Sequence, residues 1–274
     1  MDVNINAVCT DIRCDILRSI GHLGVGHIGG CLSLVEVLAV LYYKHMNIDP
    51  AQPKMPGRDR LICSKGHAGP AVYATLANRG YFDQSELLTL NQGGTHLPSH
   101  CDMNLTTGID MTTGSLGQGF SCAMGVALGS KLEGDGATIY TIIGDGESQE
   151  GQIWEAAMFA SAKKLDNVIA FTDYNKLQID GPVAEVVDIA PLAEKWRSFG
   201  WNVIDVRDGN DPAQIDAAIA LAKTQRGSGK PTMILLNTVK GKGVSFIEVA
   251  GAANHNMNIS EADAERAIAE VRGA

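Results

Sequence analysis

The sequence predicts an α/β protein with a doubly wound, mainly parallel sheet and helices on both faces. Two observations carry that expectation. Four short runs rich in β-branched or aromatic residues, at 138–143, 168–172, 201–206 and 232–237, are bounded by Gly, Asp, Asn or Pro, as strands are. Helical patterns fall between them, at 152–163, 190–199 and 212–224, so the second half of the chain reads β-α-β-α-β-α-β. No repeat, low-complexity stretch or linker divides the 274 residues, and a single domain over 1–274 is expected.

The other elements follow from local signals. Val8, Ile12, Ile16, Leu17 and Ile20 recur at helical spacing, and Gly21 and Gly24 are expected to close that helix. Ser33 precedes the apolar run 34–43 with Glu36 three positions later, so a capping box is expected to open a second helix there. Ser260 and Asp263 have the same spacing before a last helix at 262–271.

Charge and cysteine usage narrow the function. Lys and Arg total 22 against 31 Asp and Glu, a net charge of -9 with no long run of one sign, which excludes an electrostatic nucleic-acid binder. An anionic ligand is still permitted, because backbone amides, helix N-termini and a bound divalent cation supply local positive potential. The six cysteines form no C-x-x-C pair, and reduced thiols in a cytoplasmic protein are expected. No signal peptide or membrane span is expected, since the longest apolar stretch, 34–43, is short and contains Glu36.

The chemistry is concentrated in two strand ends. Gly144-Asp145-Gly146 follows one strand directly, and Asn175 follows the next, thirty residues on, which is the length of one βαβ unit. Asp145 and Asn175 then share the crevice at the carboxyl ends of neighbouring parallel strands, where open α/β sheets bind ligands. Two hard oxygen donors there suit Mg²⁺, which completes its shell with phosphate and water. A rival pattern, Gly24-Val25-Gly26-His27-Ile28-Gly29, matches the dinucleotide fingerprint but is led by a helix, and that fingerprint requires a strand. Cys31 has no base paired with it and is read as a packing residue.

The Gly144-Asp145-Gly146 and Asn175 pair resembles the thiamine diphosphate motif, and Gln149-Glu150-Gly151 with Trp154-Glu155-Ala156 resembles its transketolase form. Further blocks match in transketolase order: Gly26-His27-Ile28-Gly29-Gly30, Ser64-Lys65-Gly66-His67, Pro98-Ser99-His100, Thr113-Gly114-Ser115-Leu116-Gly117-Gln118-Gly119 and Asn175-Lys176-Leu177. The resemblance implies the pyrophosphate-binding domain of the thiamine diphosphate fold. It implies a metal held by Asp145, Asn175 and the Leu177 carbonyl, Mg²⁺ with Ca²⁺ or Mn²⁺ as substitutes. It also implies a diphosphate near His67, Gly144 and the Gly146 amide, cofactor rings seated by Gly114, Ser115 and Leu116, and support from Glu155. His27 and His100 would face the reacting carbons of the sugar, and Glu150 would join a carboxylate network at a subunit interface. His255 is assigned to cofactor and substrate together, although Ala253-Asn254-His255-Asn256-Met257 departs from the family's Trp-His-Gly. His22, His45 and His96 lie in no such block and are read as structural.

The implied reaction moves a two-carbon ketol unit from a ketose, in the first instance a sugar phosphate, to an aldose. Transketolases use a second α/β domain that binds the aminopyrimidine ring, and this chain is expected to need it from a separate C-terminal subunit, in an α2β2 assembly. The α subunit of a 2-oxoacid dehydrogenase shares the metal motif and the split into chains, but it is disfavoured by the His27, His67 and His100 blocks. Deoxyxylulose phosphate synthase is disfavoured by Gln149-Glu150-Gly151.

Overall fold

The computed structural model describes residues 3–273, so the outermost residues of the expected 1–274 domain lie outside it. Five parallel strands form the central sheet: β1 (Arg60–Cys63), β2 (Ile139–Gly144), β3 (Val168–Asp173), β4 (Asn202–Val206) and β5 (Thr232–Leu236), in the order β1-β2-β3-β5-β4. The four runs read as strands are β2 to β5. β1 is the one strand of this sheet that local pattern misses, because its Leu61-Ile62-Cys63 stretch is three residues set among Arg58, Asp59 and Arg60.

Side-chain alternation buries both faces of this sheet. Leu61, Tyr140, Ile142, Phe171, Ile234 and Leu236 enter one core, together with side chains of helices α1 (Ile5–Leu23), α2 (Gly69–Arg79), α5 (Pro212–Thr224) and α6 (Glu261–Arg272). Ile62, Ile139, Ile143, Ala170, Met233 and Leu235 enter a second core, with α3 (Gln118–Glu133) and α4 (Gly151–Ala162). Parallel strands covered on both sides by crossover helices are the doubly wound arrangement that the alternating pattern predicts.

Three local expectations meet tertiary structure. α6 opens with the capping box, Ser260 accepting from the Asp263 N–H and Asp263 accepting from the Ser260 N–H. At Ser33 the expected capping box is absent. Ser33 Oγ instead donates to Asp173 Oδ2 at 2.7 Å, and Glu36 pairs with Arg13 in the interior, so long-range partners displace the local cap. Gly21 does not end α1 either: the helix runs on to Leu23, and Gly24, at φ +90°, closes it. Gly21 is where Ala264 of α6 packs, since a Cβ there would lie 2.4 Å from the Ala264 Cβ. Among the described residues no helix is long and apolar enough to cross a membrane.

Candidate active site

The register of β2 on β3 places Gly144 beside Asp173, so the turns that follow the two strands leave the sheet together. Asp145 is buried at this edge. Its Oδ1 accepts the Gly146 N–H at 2.8 Å, and its Oδ2 accepts the Lys176 N–H. Lys176 has a left-handed backbone, φ +68°, which folds the chain so that the Leu177 N–H donates to Asn175 Oδ1 at 3.1 Å. Asn175 Nδ2 donates to Asp173 Oδ2 at 3.2 Å, which fixes the amide with its oxygen as the acceptor. Gly146 must be glycine for space: a Cβ would lie 2.9 Å from that of Gln178.

Four imidazoles stand together across from these turns. Ring centroids of His27 and His67 are 5.3 Å apart, His27 and His100 5.6 Å, His27 and His255 5.3 Å, and His67 and His255 5.0 Å. The glycine pattern at 24–29 contributes to this cluster rather than to a dinucleotide site. Val25–Gly26 leaves α1 and pairs antiparallel with Met257–Asn258, a two-residue ribbon that brings His27 and His255 side by side. Burial lowers the pKa of all four rings. Neighbouring cations add to this at His255, which burial and then Lys240 push down to about 3. Ser99 Oγ contacts His100 Nδ1 at 2.9 Å and Lys240 Nζ contacts His255 Nδ1 at 3.2 Å, so these two rings are each oriented through Nδ1.

Two lysines that the motif reading leaves without a role line the same space. Lys65 Nζ donates to Asp173 Oδ2 at 2.6 Å and to the Gly30 carbonyl at 3.1 Å, in a pair whose side chains are 4% and 0% exposed. Lys240 lies 3.5 Å from the Leu177 carbonyl, and burial, then the Lys65 charge, lower its pKa to about 8. Nothing near 65 or 240 in the sequence marks either as a buried cation, because their burial is created by the sheet and the loops above it.

These groups enclose a cleft of about 290 Å³ at the carboxyl ends of the strands. Of the expected site residues, His27, His67, His100, His255, Gly114, Leu116, Gly144, Asp145, Gly146, Glu150, Asn175 and Leu177 line it. Two do not. Ser115 is exposed, with its hydroxyl accepting from Gln118 Nε2 at 3.3 Å, and Glu155 lies on the exposed side of α4 in a shallow hollow with Ser121 and Phe159. A larger open hollow of about 520 Å³ between the 52–58 and 103–109 segments holds no comparable cluster of titratable groups. Cys31 is fully buried and burial pushes its thiol up to about 12, in keeping with a packing role.

The donor set suits a hard cation. Burial, followed by repulsion from Asp173, pushes the Asp145 carboxyl up to about 6, and a divalent ion beside it would reverse that shift. Among the described residues no three His, Cys, Asp or Glu side chains gather to hold a metal by themselves. An ion on Asp145, the Asn175 amide oxygen and the Leu177 carbonyl would therefore depend on ligand phosphate and water, as Mg²⁺ sites do. The lysines line that position with positive charge, and the Gly146 turn and the neutral histidine rings add N–H donors, which is what a diphosphate needs.

Known proteins share this architecture. The profile described as transketolase, thiamine diphosphate binding domain, matches residues 5–270. A 6-deoxy-6-sulfo-D-fructose transketolase subunit of Clostridium sp. (strain MSTE9) is 59% identical over 95% of this chain and 93% of its own length. An apulose-4-phosphate transketolase subunit of Phocaeicola vulgatus is 37% identical over 90% of this chain and 86% of its own. The solved transketolase of Leishmania mexicana aligns with a TM-score of 0.89 at 29% identity, over 100% of this chain and 41% of that one. With the profile match extending from α1 into α6, the chain belongs to the transketolase family, of which it carries the thiamine diphosphate binding domain.

Proposed function

We propose that this chain is the thiamine diphosphate- and Mg²⁺-binding subunit of a two-chain transketolase that transfers a two-carbon ketol unit from a ketose to an aldose. The observation that carries the reading is the convergence of Asp145, Asn175 and the Leu177 carbonyl with four imidazoles in one cleft. The cofactor supplies the carbon nucleophile and the electron sink when bound. Asp145, Asn175 and Leu177 hold the metal, while the Gly146 amide, His67 and Lys240 face the diphosphate. Gly114, which packs against the His100 ring, and Leu116 seat the rings. His27 and His100 orient the sugar hydroxyls and move protons at the reacting carbons. Their pKa values, lowered by burial, keep both rings neutral at pH 7, able to accept a proton as well as donate one.

The partner is a C-terminal subunit carrying the pyrimidine-binding domain, in an α2β2 assembly. Relatives of matching length are named as subunits, which supports this arrangement. Glu150 on the cleft rim, with the exposed Glu155, Met158 and Phe159 of α4, is the surface assigned to subunit contact. A single domain, a cytoplasmic location and reduced cysteines belong to the same proposal. The donor is a ketose with an anionic group at its far end, and the 59% identity to a 6-deoxy-6-sulfo-D-fructose transketolase subunit favours the sulfonate over a phosphate. Transfer from that sulfosugar leaves a four-carbon aldose bearing the sulfonate. A donor panel run with the reconstituted pair tests this: kcat/KM for 6-deoxy-6-sulfo-D-fructose should exceed that for fructose 6-phosphate, and the reverse order would overturn the choice of donor.

A further inference from the structure

Asp145 has a neighbour, Glu147, that the metal and diphosphate assignments leave without a task. It is 2% exposed and meets three segments of chain. One carboxylate oxygen accepts the Gly117 N–H at 2.8 Å together with the Ser64 hydroxyl. The other accepts the Gly144 N–H at 3.0 Å. Ser64 Oγ in turn accepts the Phe120 N–H at 2.9 Å. The segments joined in this way contribute His67, Gly114, Leu116, Asp145 and Gly146 to the cleft.

The contact also settles what occupies the start of α3. Gly117, at φ +84°, is the N-cap of that helix and has no side chain to cap it, so the Glu147 and Ser64 pair caps the helix from outside. An open helix N-terminus attracts anions, phosphate among them. Here the protein's own carboxylate holds that place. The diphosphate is thereby left to the side of the cleft that carries Gly146, His67 and Lys240.

We propose that Glu147 is a positioning residue whose carboxylate clamps the 114–117 loop to the Gly144 turn, presetting the two backbones between which the cofactor lies. This rests on the reading that the cleft takes thiamine diphosphate. Three donors converge on the two oxygens, so glutamine, which keeps the shape, can accept at one end only and turns its NH₂ toward a backbone N–H at the other.

The test uses Glu147→Gln in the reconstituted two-chain assembly. Without cofactor, amide exchange should quicken in residues 113–120 and stay at parental rates in 168–173. With Mg²⁺ present, the thiamine diphosphate dissociation constant should rise about tenfold, the scale of one charge-assisted hydrogen bond, while the ketose KM at saturating cofactor keeps the parental value. Should Glu147→Gln fail to fold, Ser64→Ala withdraws one donor and should give the same pattern with a smaller shift. A folded variant with unchanged cofactor affinity would overturn the proposal, as would exchange that quickens throughout the sheet. Failure of the parent assembly to bind thiamine diphosphate would sink the cofactor reading instead, and the exchange measured without cofactor would still judge the clamp.

Discussion

Replacing Lys65 by methionine tests whether the cleft is held by its buried charge pair. The Lys65 and Asp173 side chains are 4% and 0% exposed and meet at 2.6 Å, so solvent does little to screen them. Removing one partner of such a pair costs about 3–5 kcal/mol, because the other charge stays buried. Asp173 would keep hydrogen bonds from Ser33, Asn175 and Thr238, which places the expected loss near the lower end, ~3 kcal/mol. At roughly 2–4 °C per kcal/mol for a chain of this size, the cofactor-free protein should melt some 6–12 °C lower. Lys65→Met combined with Asp173→Asn removes both charges and should recover most of that loss. Thermal and urea denaturation of the parent, both single variants and the double variant give the coupling energy, expected to be at least ~2 kcal/mol. Additive single effects, or a loss below ~1 kcal/mol for Lys65→Met, would refute the argument that this pair organises the floor of the cleft.

Other substitutions address the chemistry directly. Asp145→Ala should weaken Mg²⁺-dependent binding of thiamine diphosphate by more than the ~10–100-fold that loss of a ligand's outer partner costs, with the fold intact; unchanged affinity by calorimetry would remove the metal assignment. His100→Ala should lower turnover ~100-fold or more while cofactor affinity stays near the parental value, and equal turnover would leave His100 a packing role beside Ser99 and His27. The imidazole pKa values predict a pH dependence. A base whose folded pKa lies below 6.5 contributes stability above that pH and loses it as the pH falls toward the folded value, about 3 for His255. Melting of the cofactor-free protein from pH 8 down to pH 5 should therefore fall more steeply in the parent than in His255→Gln. Asp145, pushed up to about 6, acts in the opposite direction, but it is common to both proteins and cancels in the comparison. Parallel pH profiles would contradict the neutral state of His255.

The second half of the fold is legible in the sequence because each of its strands is a β-branched run with turn residues at both ends and a helix before the next. β1 has three apolar residues and no such frame. α3 escapes for another reason: Gly119, Gly125 and Gly129 interrupt it, and glycine both weakens a helical pattern and marks turns. At Ser33 and Gly21 the local signals are real but are outcompeted by partners far along the chain, Asp173 in one case and Ala264 in the other. For the site, the thirty-residue spacing of Asp145 and Asn175 carries most of the information, since β2 and β3 are joined by a single crossover helix and pair directly. Lys65, Lys240 and Glu147 cannot be weighed from sequence, because what matters about them is burial. Most of their neighbours come from segments far away in the chain.

The most direct test is reconstitution. The purified chain is mixed with the proposed C-terminal subunit, Mg²⁺, thiamine diphosphate, a ketose donor and an aldose acceptor, and the carbon skeletons are followed by mass spectrometry. The account predicts a donor shortened by two carbons and an acceptor lengthened by two in the mixture, with neither product formed by either chain alone. Ketol transfer by this chain unaided, or turnover of a 2-oxoacid with an electron acceptor in place of sugar exchange, would contradict it.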